Sequence, residues 1–494
     1  MENHSAASAF QKLSDLRSTS GPRQTQGLSD ERILEILYRD PRLIQAIDEA
    51  WDLRQQMSDT ERGLLQGAEE DVCGTLQEGY VNFYGKDTTN PYIPLAGRGP
   101  WIVTAHGAVI IDCGGYGMLA LGHSPQAVLD TLARPQVMAN IMTPNFSQIR
   151  FTAKLRENLG FTRGGCPFEK FICLNSGSEA VGLSVRLSDV QAKRMLDSGR
   201  YQRSKFLVLK GAFHGRTDRP AQASDSSMGS YRKYLASFQN RDNLVVVPAN
   251  DPSALQAAFS EAEADGTFIE AMLFEPVQGE GNPGVSILRS YYNLARELTK
   301  KHGSLLIADS IQAGLRGHGC LSIVDYPGFE DCDPPDLETW SKALNAGQYP
   351  LSVLGLGKRA VELYTSGLYG NTMTTNPRAL DVACTVMDAV TAETRGNVQA
   401  MGEAFRVGLE ALCEELPDIT LGFTGTGLLF AVELKEEYPV VAGDGVERLC
   451  RESGLGIIHG GKNAIRFTPY LTITSEETEL VITLLREVLL SLGE

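Results

Sequence analysis

Residues 304–314, SLLIADSIQAG, and residues 338–347, ETWSKALNAG, carry the two groups around which the rest of the chain is organised. The apolar run Leu305-Leu306-Ile307-Ala308 reads as a buried strand of a parallel sheet, because a strand covered on both faces shows no polar alternation. It ends on Asp309, which sets a carboxylate at the carboxyl end of a strand, where open α/β sheets bind ligands. Further along, Lys342 stands between Ser341 and the small run Ala343-Leu344-Asn345-Ala346-Gly347. A lysine in small, uncharged surroundings is a candidate for Schiff-base chemistry, since desolvation lowers its pKa and frees the amine. A carboxylate against a pyridinium nitrogen and a reactive lysine are what pyridoxal phosphate requires of its protein. The same two residues also fit an ordinary strand end and a surface lysine.

At 494 residues the chain is too long for one ordinary core, which predicts two or more domains. The net charge of −16, without a basic run, argues against nucleic acid or an anionic membrane as the main partner. Nine cysteines lie scattered with no Cys-x-x-Cys and no His-paired spacing. That pattern predicts free thiols in a reducing compartment and no metal site. The opening MENHSAASAFQKLSDLRSTSGPRQ has no apolar core, so no secretory signal is expected there. No run of about twenty apolar residues exists, so no membrane span is expected, and the cytoplasm is the default location.

Residues 1–28 are polar and rich in Ser and Gln, which predicts loose order. Ser29 then caps a helix, Asp40-Pro41 caps and starts another through Trp51, and an acidic third follows Ser58. These helices form an extension over residues 1–75 whose expected role is packing or oligomer contact. Residues 92–113 suggest an antiparallel hairpin within a segment, 76–150, that belongs to a small domain. Over 151–377, the strands FICLN, KFLVLK, NLVVVP, FIEAMLFE, SLLIAD and LSVLGL alternate with helices at 178–197, 252–264 and 289–302. Such alternation predicts a mostly parallel sheet flanked by helices, an α/β large domain. From 378 to 494 the pattern changes to two long helices, two strands and a last helix from Ser475, a smaller α+β domain.

Several loops carry polar groups at predicted strand ends. NSGSEA (175–180) joins a strand to a helix, where glycine admits a phosphate to the free N–H groups of the first turn. GAFHGRT (211–217) offers an aromatic that could lie on a planar cofactor. FEPVQGEG (274–281) sets two carboxylates in a glycine loop, where an unpaired core role is unfavourable. NTMTTNP (371–377) is rich in hydroxyls. Alone, each also fits a plain turn, a packing aromatic, a solvated loop or a helix cap.

In this order the motifs, with ADSIQAG and SKALNAG, resemble the class III (ω-) aminotransferases, a subgroup of the fold-type I pyridoxal-phosphate enzymes. The resemblance runs from about residue 92 to the C-terminus. It implies pyridoxal 5′-phosphate as cofactor, an amino acid or ω-amine as donor, a 2-oxo acid such as 2-oxoglutarate as acceptor, and a homodimer with shared sites. Lys342 would be the Schiff-base lysine and proton carrier, and Asp309 would pair with the pyridinium nitrogen. Gln312 would reach the ring's O3′, with Ile311 on one ring face and Phe213 on the other. Gly177 and Ser178 would hold the phosphate, with Thr372 of the neighbouring subunit. Glu275 and Glu280 would stand at the substrate side, and Glu275 and His214 also count among the cofactor contacts. Arg466 of AIRFTPYL resembles the family's carboxylate-binding arginine, and Tyr116 would line the substrate entrance.

Two departures stand out. The family's Asp-Glu-Val-Gln is Asp309-Ser310-Ile311-Gln312, which removes a carboxylate, and its Gly-Gly before Asn-Pro is Thr374-Thr375. A racemase or aminomutase of the same fold is the alternative chemistry, and an inactive binding protein the alternative class.

Overall fold

The computed structural model describes residues 2–493, with side chains from Ser5 onward. Among the described residues, seven strands form the central sheet. Their order is Lys170–Leu174, Ser352–Leu356, Leu337–Trp340, Leu305–Asp309, Thr267–Phe274, Arg203–Leu209 and Leu244–Val247. The ladder from Leu337–Trp340 to Leu244–Val247 is parallel throughout. Ser352–Leu356 runs antiparallel to both of its neighbours. Every residue of Thr267–Phe274 and of Leu305–Asp309 is buried, which is why their sequences run apolar without alternation. Helices Gly177–Asp197, Pro252–Ala264 and Arg289–His302 lie where the periodicity set them.

One strand was not legible beforehand. Leu337-Glu338-Thr339-Trp340 is fully buried, yet two of its four residues are polar, so it breaks the apolar pattern that marks its neighbours. Its register pairs Asp309 with Thr339. The Asp309 and Lys342 loops therefore open on the same rim of the sheet.

The segment before the sheet forms three antiparallel strands rather than a simple hairpin: Pro94–Arg98, Trp101–Thr104 and Val109–Asp112. Leu455–Gly456 joins them in parallel, tying the C-terminal region to this sheet. A second antiparallel sheet holds Thr420–Thr426, Leu429–Leu434, Ala464–Phe467 and Ile458–Gly460. Helices Pro377–Asp388, Ala392–Glu415 and Ser475–Ser491 complete this region.

The expected loose order of residues 1–28 is wrong for much of its length: Glu2–Ser18 is a helix. Residue 1 of that stretch lies outside the described residues. Ala6, Ala9, Leu13 and Leu16 repeat at helical spacing and are each at most 1% exposed. Two of the four are alanines, and the polar residues between them hide the stripe. The following helices, Asp30–Leu37 and Pro41–Gln56, carry the expected caps at Ser29 and Asp40. Arg42 Nη2 donates to Asp40 Oδ2 at 2.7 Å and to Glu477 Oε1 at 2.6 Å, which joins this extension to the last helix. Leu13→Ala is expected to cost about 2–5 kcal/mol through the cavity it leaves. A thermal unfolding scan of the intact chain measures it. Among the described residues, no helix is long and apolar enough to cross a membrane.

Candidate active site

The parallel strands and their loops surround a cavity of about 190 Å³. Gly177, Ser178, Phe213, His214, Glu275, Asp309, Ile311, Gln312 and Lys342 all line it. Nine residues from five separated loops thus converge on one cavity. Thr372, Glu280, Arg466 and Tyr116 do not line it.

Lys342 follows Leu337–Trp340 at once and sits at φ 46°, a left-handed conformation that side-chain-bearing residues seldom hold unless the surroundings enforce it. Its Nζ donates to Gln312 Oε1 at 3.0 Å. Burial, then the Arg466 charge, lowers the amine to about 8, while Glu280, Asp309 and Glu275 oppose the shift. A neutral, nucleophilic amine is therefore accessible near neutral pH.

Asp309 is 4% exposed. Its Oδ2 accepts from His214 Nδ1 at 2.8 Å, and its Oδ1 accepts from Thr339 Oγ1 at 3.0 Å. Three strands thus aim this carboxylate. Glu275 accepts the backbone N–H groups of Phe213 and Gly279 at 3.0 and 2.8 Å. Burial pushes its carboxyl up to about 7, the opposing charge of His214 notwithstanding.

At the far wall, Ser176 and Glu179 form a capping box at the start of Gly177–Asp197. Among the described residues, the Gly177 and Ser178 N–H groups have no protein acceptor. The open end of a 21-residue helix suits an anion. Gly177 is required by close approach, since a Cβ there would lie 2.8 Å from Ile311 Cδ1.

Arg466 is 2% exposed on the strand Ala464–Phe467, and its Nη1 donates to Gly279 O. Its Nε is buried without a partner. Glu280 does not ion-pair with Arg466. Its partner is Arg216, with Nη2 to Oε1 at 3.4 Å. Arg216 also stands over the Phe213 ring, 5.2 Å from its centroid. The sequence reading passed over Arg216, although GAFHGRT contains it, because only the aromatic was weighed there. Thr339 was missed with its strand.

The carboxylate absent at position 310 returns from another strand. Ser310 Oγ donates to Glu338 Oε1 at 2.5 Å, and Ser322 Oγ and the Ile323 N–H donate to the same carboxylate. Glu338 is wholly buried, and desolvation raises it to about 7. Thr372 lies on an exposed loop, where its carbonyl accepts from Asn140 Nδ2 at 3.1 Å.

The chain matches the family described as aminotransferase class-III over residues 83–489. The chain belongs to the class-III aminotransferases. It is 30% identical over 407 residues to the acetylornithine aminotransferase of Nostoc sp., across 80% of this chain and 90% of that one. The acetylornithine aminotransferase structure from Elizabethkingia anophelis superposes with a TM-score of 0.68 at 26% identity, covering 84% and 98% of the two chains. The ornithine aminotransferase structure from Toxoplasma gondii superposes at 0.74 and 22% identity, over 88% and 99%, which speaks to the fold. This class-III aminotransferase is thus a fold-type I, pyridoxal-phosphate-dependent transaminase that moves an amino group from an amino donor to a 2-oxo acid. The racemase or aminomutase alternative is not favoured by these relatives.

The residues present fit the cofactor. Gln312 Nε2 and His214 Nε2 are buried without partners beside the cavity they line. With the helix end, the strand-end carboxylate and the depressed lysine, they offer a hydrogen-bonding or charged group on each side of one small space.

Proposed function

We propose that Lys342 and Asp309 carry the chemistry of this transaminase. The supporting observation is a single one: a lysine with a lowered pKa shares one cavity with a strand-end carboxylate and an open helix N-terminus. Gly177 and Ser178 would hold the cofactor's phosphate, Phe213 and Ile311 its two faces, Asp309 its ring nitrogen and Gln312 its O3′, with His214 and Glu275 behind. When bound, pyridoxal phosphate supplies the electron sink for the transfer. Asp309, fixed by His214 and Thr339, holds the proton on the ring nitrogen. Nζ of Lys342 takes the proton from the amine-bearing carbon of the donor and delivers one to the keto carbon of the acceptor. A panel of α- and ω-amino donors against 2-oxoglutarate and pyruvate, read as 2-oxo acid formed, tests this function. Turnover with none of them would sink it.

The proposed acceptor is 2-oxoglutarate and the proposed donor an amino acid or ω-amine, read from the named relatives and from two guanidinium groups near the cavity, the buried Arg466 and the exposed Arg216. Glu280 pairs with one and acts on the charge of the other. Glu280→Ala is expected to improve α-amino acids that bring a free carboxylate and to weaken the ω-amino half-reaction. Arg466→Ala is expected to lower kcat/KM for the 2-oxo acid by roughly 2–4 kcal/mol, the loss for a desolvated charge pair. Stopped-flow absorbance of each half-reaction resolves the asymmetry; equal slowing of both halves in both variants contradicts it.

We further propose a cytoplasmic homodimer. Thr372 is exposed and outside its own cavity, which suits a contact with the other subunit's phosphate site. All nine cysteines are unpaired, as a reducing compartment favours. Mixed dimers of Lys342→Ala and Thr372→Ala subunits are expected to carry one fully built site and one empty of both groups. Activity equal to the mean of the two parent homodimers would contradict sharing.

A further inference from the structure

The helical extension before residue 83 lies outside the family match, yet part of it shares a cavity with Tyr116. Helix Glu69–Gln77 is fixed from behind: Val72 is 3% exposed and packs with Leu65 and Ala105. The fully buried Glu69 accepts the N–H groups of Gln24 and Thr25 at 2.9 and 2.8 Å. A helix held this way presents Cys73, Leu76 and Gln77, which share a face at three- and four-residue spacing. These three form one wall of a cavity of about 380 Å³.

The opposite wall is tied to the C-terminal region at Thr88. Thr88 lines the cavity, and its carbonyl accepts from Arg451 Nη1 at 2.9 Å. Asn82 Nδ2 bridges the walls, donating to Thr89 Oγ1 at 3.2 Å and to Gln77 Oε1 at 3.5 Å. Tyr84, Tyr92 and Tyr116 bring three aromatic rings to the same space. Tyr84 and Tyr116 stack with centroids 5.7 Å apart at 25°.

Beside Gly117, where a Cβ would lie 3.5 Å from Cγ of the active-site Gln312, Tyr116 lines this cavity and adjoins the active site. Its φ of 48° is held by Gly117, whose N–H donates to Thr468 Oγ1 at 3.1 Å and whose carbonyl accepts from Arg316 Nε at 2.8 Å. The Arg466 charge acts on the Tyr116 hydroxyl and also on Lys342. Among the described residues, no Asp, Glu, Lys, Arg or His lines the cavity. The Cys73 thiol is pushed up to about 11 by burial and stays neutral. A charged ligand end would therefore find no ion partner there, whereas a flat, neutral one would stack on tyrosine.

We propose that this cavity is a distal subsite for the uncharged, flat tail of the amino substrate, an aryl group above all, and that the N-terminal extension is a specificity element. The proposal rests on the transaminase reading for its substrate, and its test has an arm that does not. Three primary-amine donors of equal reach, ended by phenyl, carboxylate or ammonium, are compared with alanine on the holoenzyme. The phenyl-ended donor is expected to exceed the other two at least tenfold in kcat/KM. Leu76→Trp and Cys73→Phe, which fill the cavity from positions one turn apart, are each expected to remove about tenfold from the phenyl-ended donor and to leave alanine within twofold. Independently, 4-phenylbutyramide, which has no amine to transfer, is expected to give saturation-transfer NMR contacts that both variants abolish. Those contacts persist even if the enzyme reading fails. Loss of alanine and phenyl-ended turnover alike would make the wall merely structural and overturn the subsite. So would unchanged probe binding, or an altered oligomeric state with tail preference unmoved, since then a second copy covers the cavity.

Discussion

Lys342→Ala is expected to lower kcat by about 10⁴ or more, the upper end of what a positioned acid–base group contributes. The proposed phosphate wall at Gly177 and Ser178 and the carboxylate of Asp309 are built by other parts of the chain, so the variant should fold and retain much of its cofactor affinity. Nζ of Lys342 donates a hydrogen bond to Gln312 Oε1, and losing that bond leaves an acceptor beside a cavity that water can enter. Steady-state rates, circular dichroism and cofactor retention on gel filtration measure the three parts. An active variant would remove Lys342 from the reaction.

Asp309→Asn should keep the cofactor and fold while kcat falls by roughly 10²–10³, the usual loss when one preorganised electrostatic group is removed. The amide has nearly the same shape and can still accept from Thr339 or His214, whose bonds fix the position. It has no charge with which to hold a proton on the ring nitrogen, and that charge matters more in the transition state than in the ground state. Equal kcat in the two forms would show that the carboxylate faces something else. His214→Ala is the comparison that separates charge from aim, because it leaves Asp309 charged and removes one of its two side-chain anchors.

Most of the cavity was legible because its residues sit at ends of strands with unambiguous patterns. FIEAMLFE and SLLIAD are buried on both faces, so the sequence pattern alone sets their last residues, Glu275 and Asp309, at the sheet's edge. Leu337–Trp340 was not legible, since Glu338 and Thr339 are polar for reasons that only the neighbouring strand supplies: one receives Ser310 and Ser322, the other serves Asp309. For the same reason the carboxylate missing at Ser310 could not be traced to Glu338, which is distant in sequence and adjacent only through the register. The first helix was hidden by its small apolar residues, as Ala6 and Ala9 mark a close contact without raising hydropathy much. Arg216 shows a different failure. Its motif was read for one residue, and the pairing with Glu280 depends on loops from two strands meeting at the rim. Apart from Tyr116 the distal cavity could not be read, because its other walls come from segments that carry no motif and are tied together through Val72, Glu69, Asn82 and Arg451.

The most direct measurement is borohydride reduction of the cofactor-loaded enzyme, followed by proteolysis and mass spectrometry. The expected result is one phosphopyridoxyl adduct, on the peptide that contains Lys342, with none on the Lys342→Ala protein. An adduct on a different lysine of the unaltered enzyme, or none on any, would contradict the assignment of Lys342 as the residue that holds the cofactor.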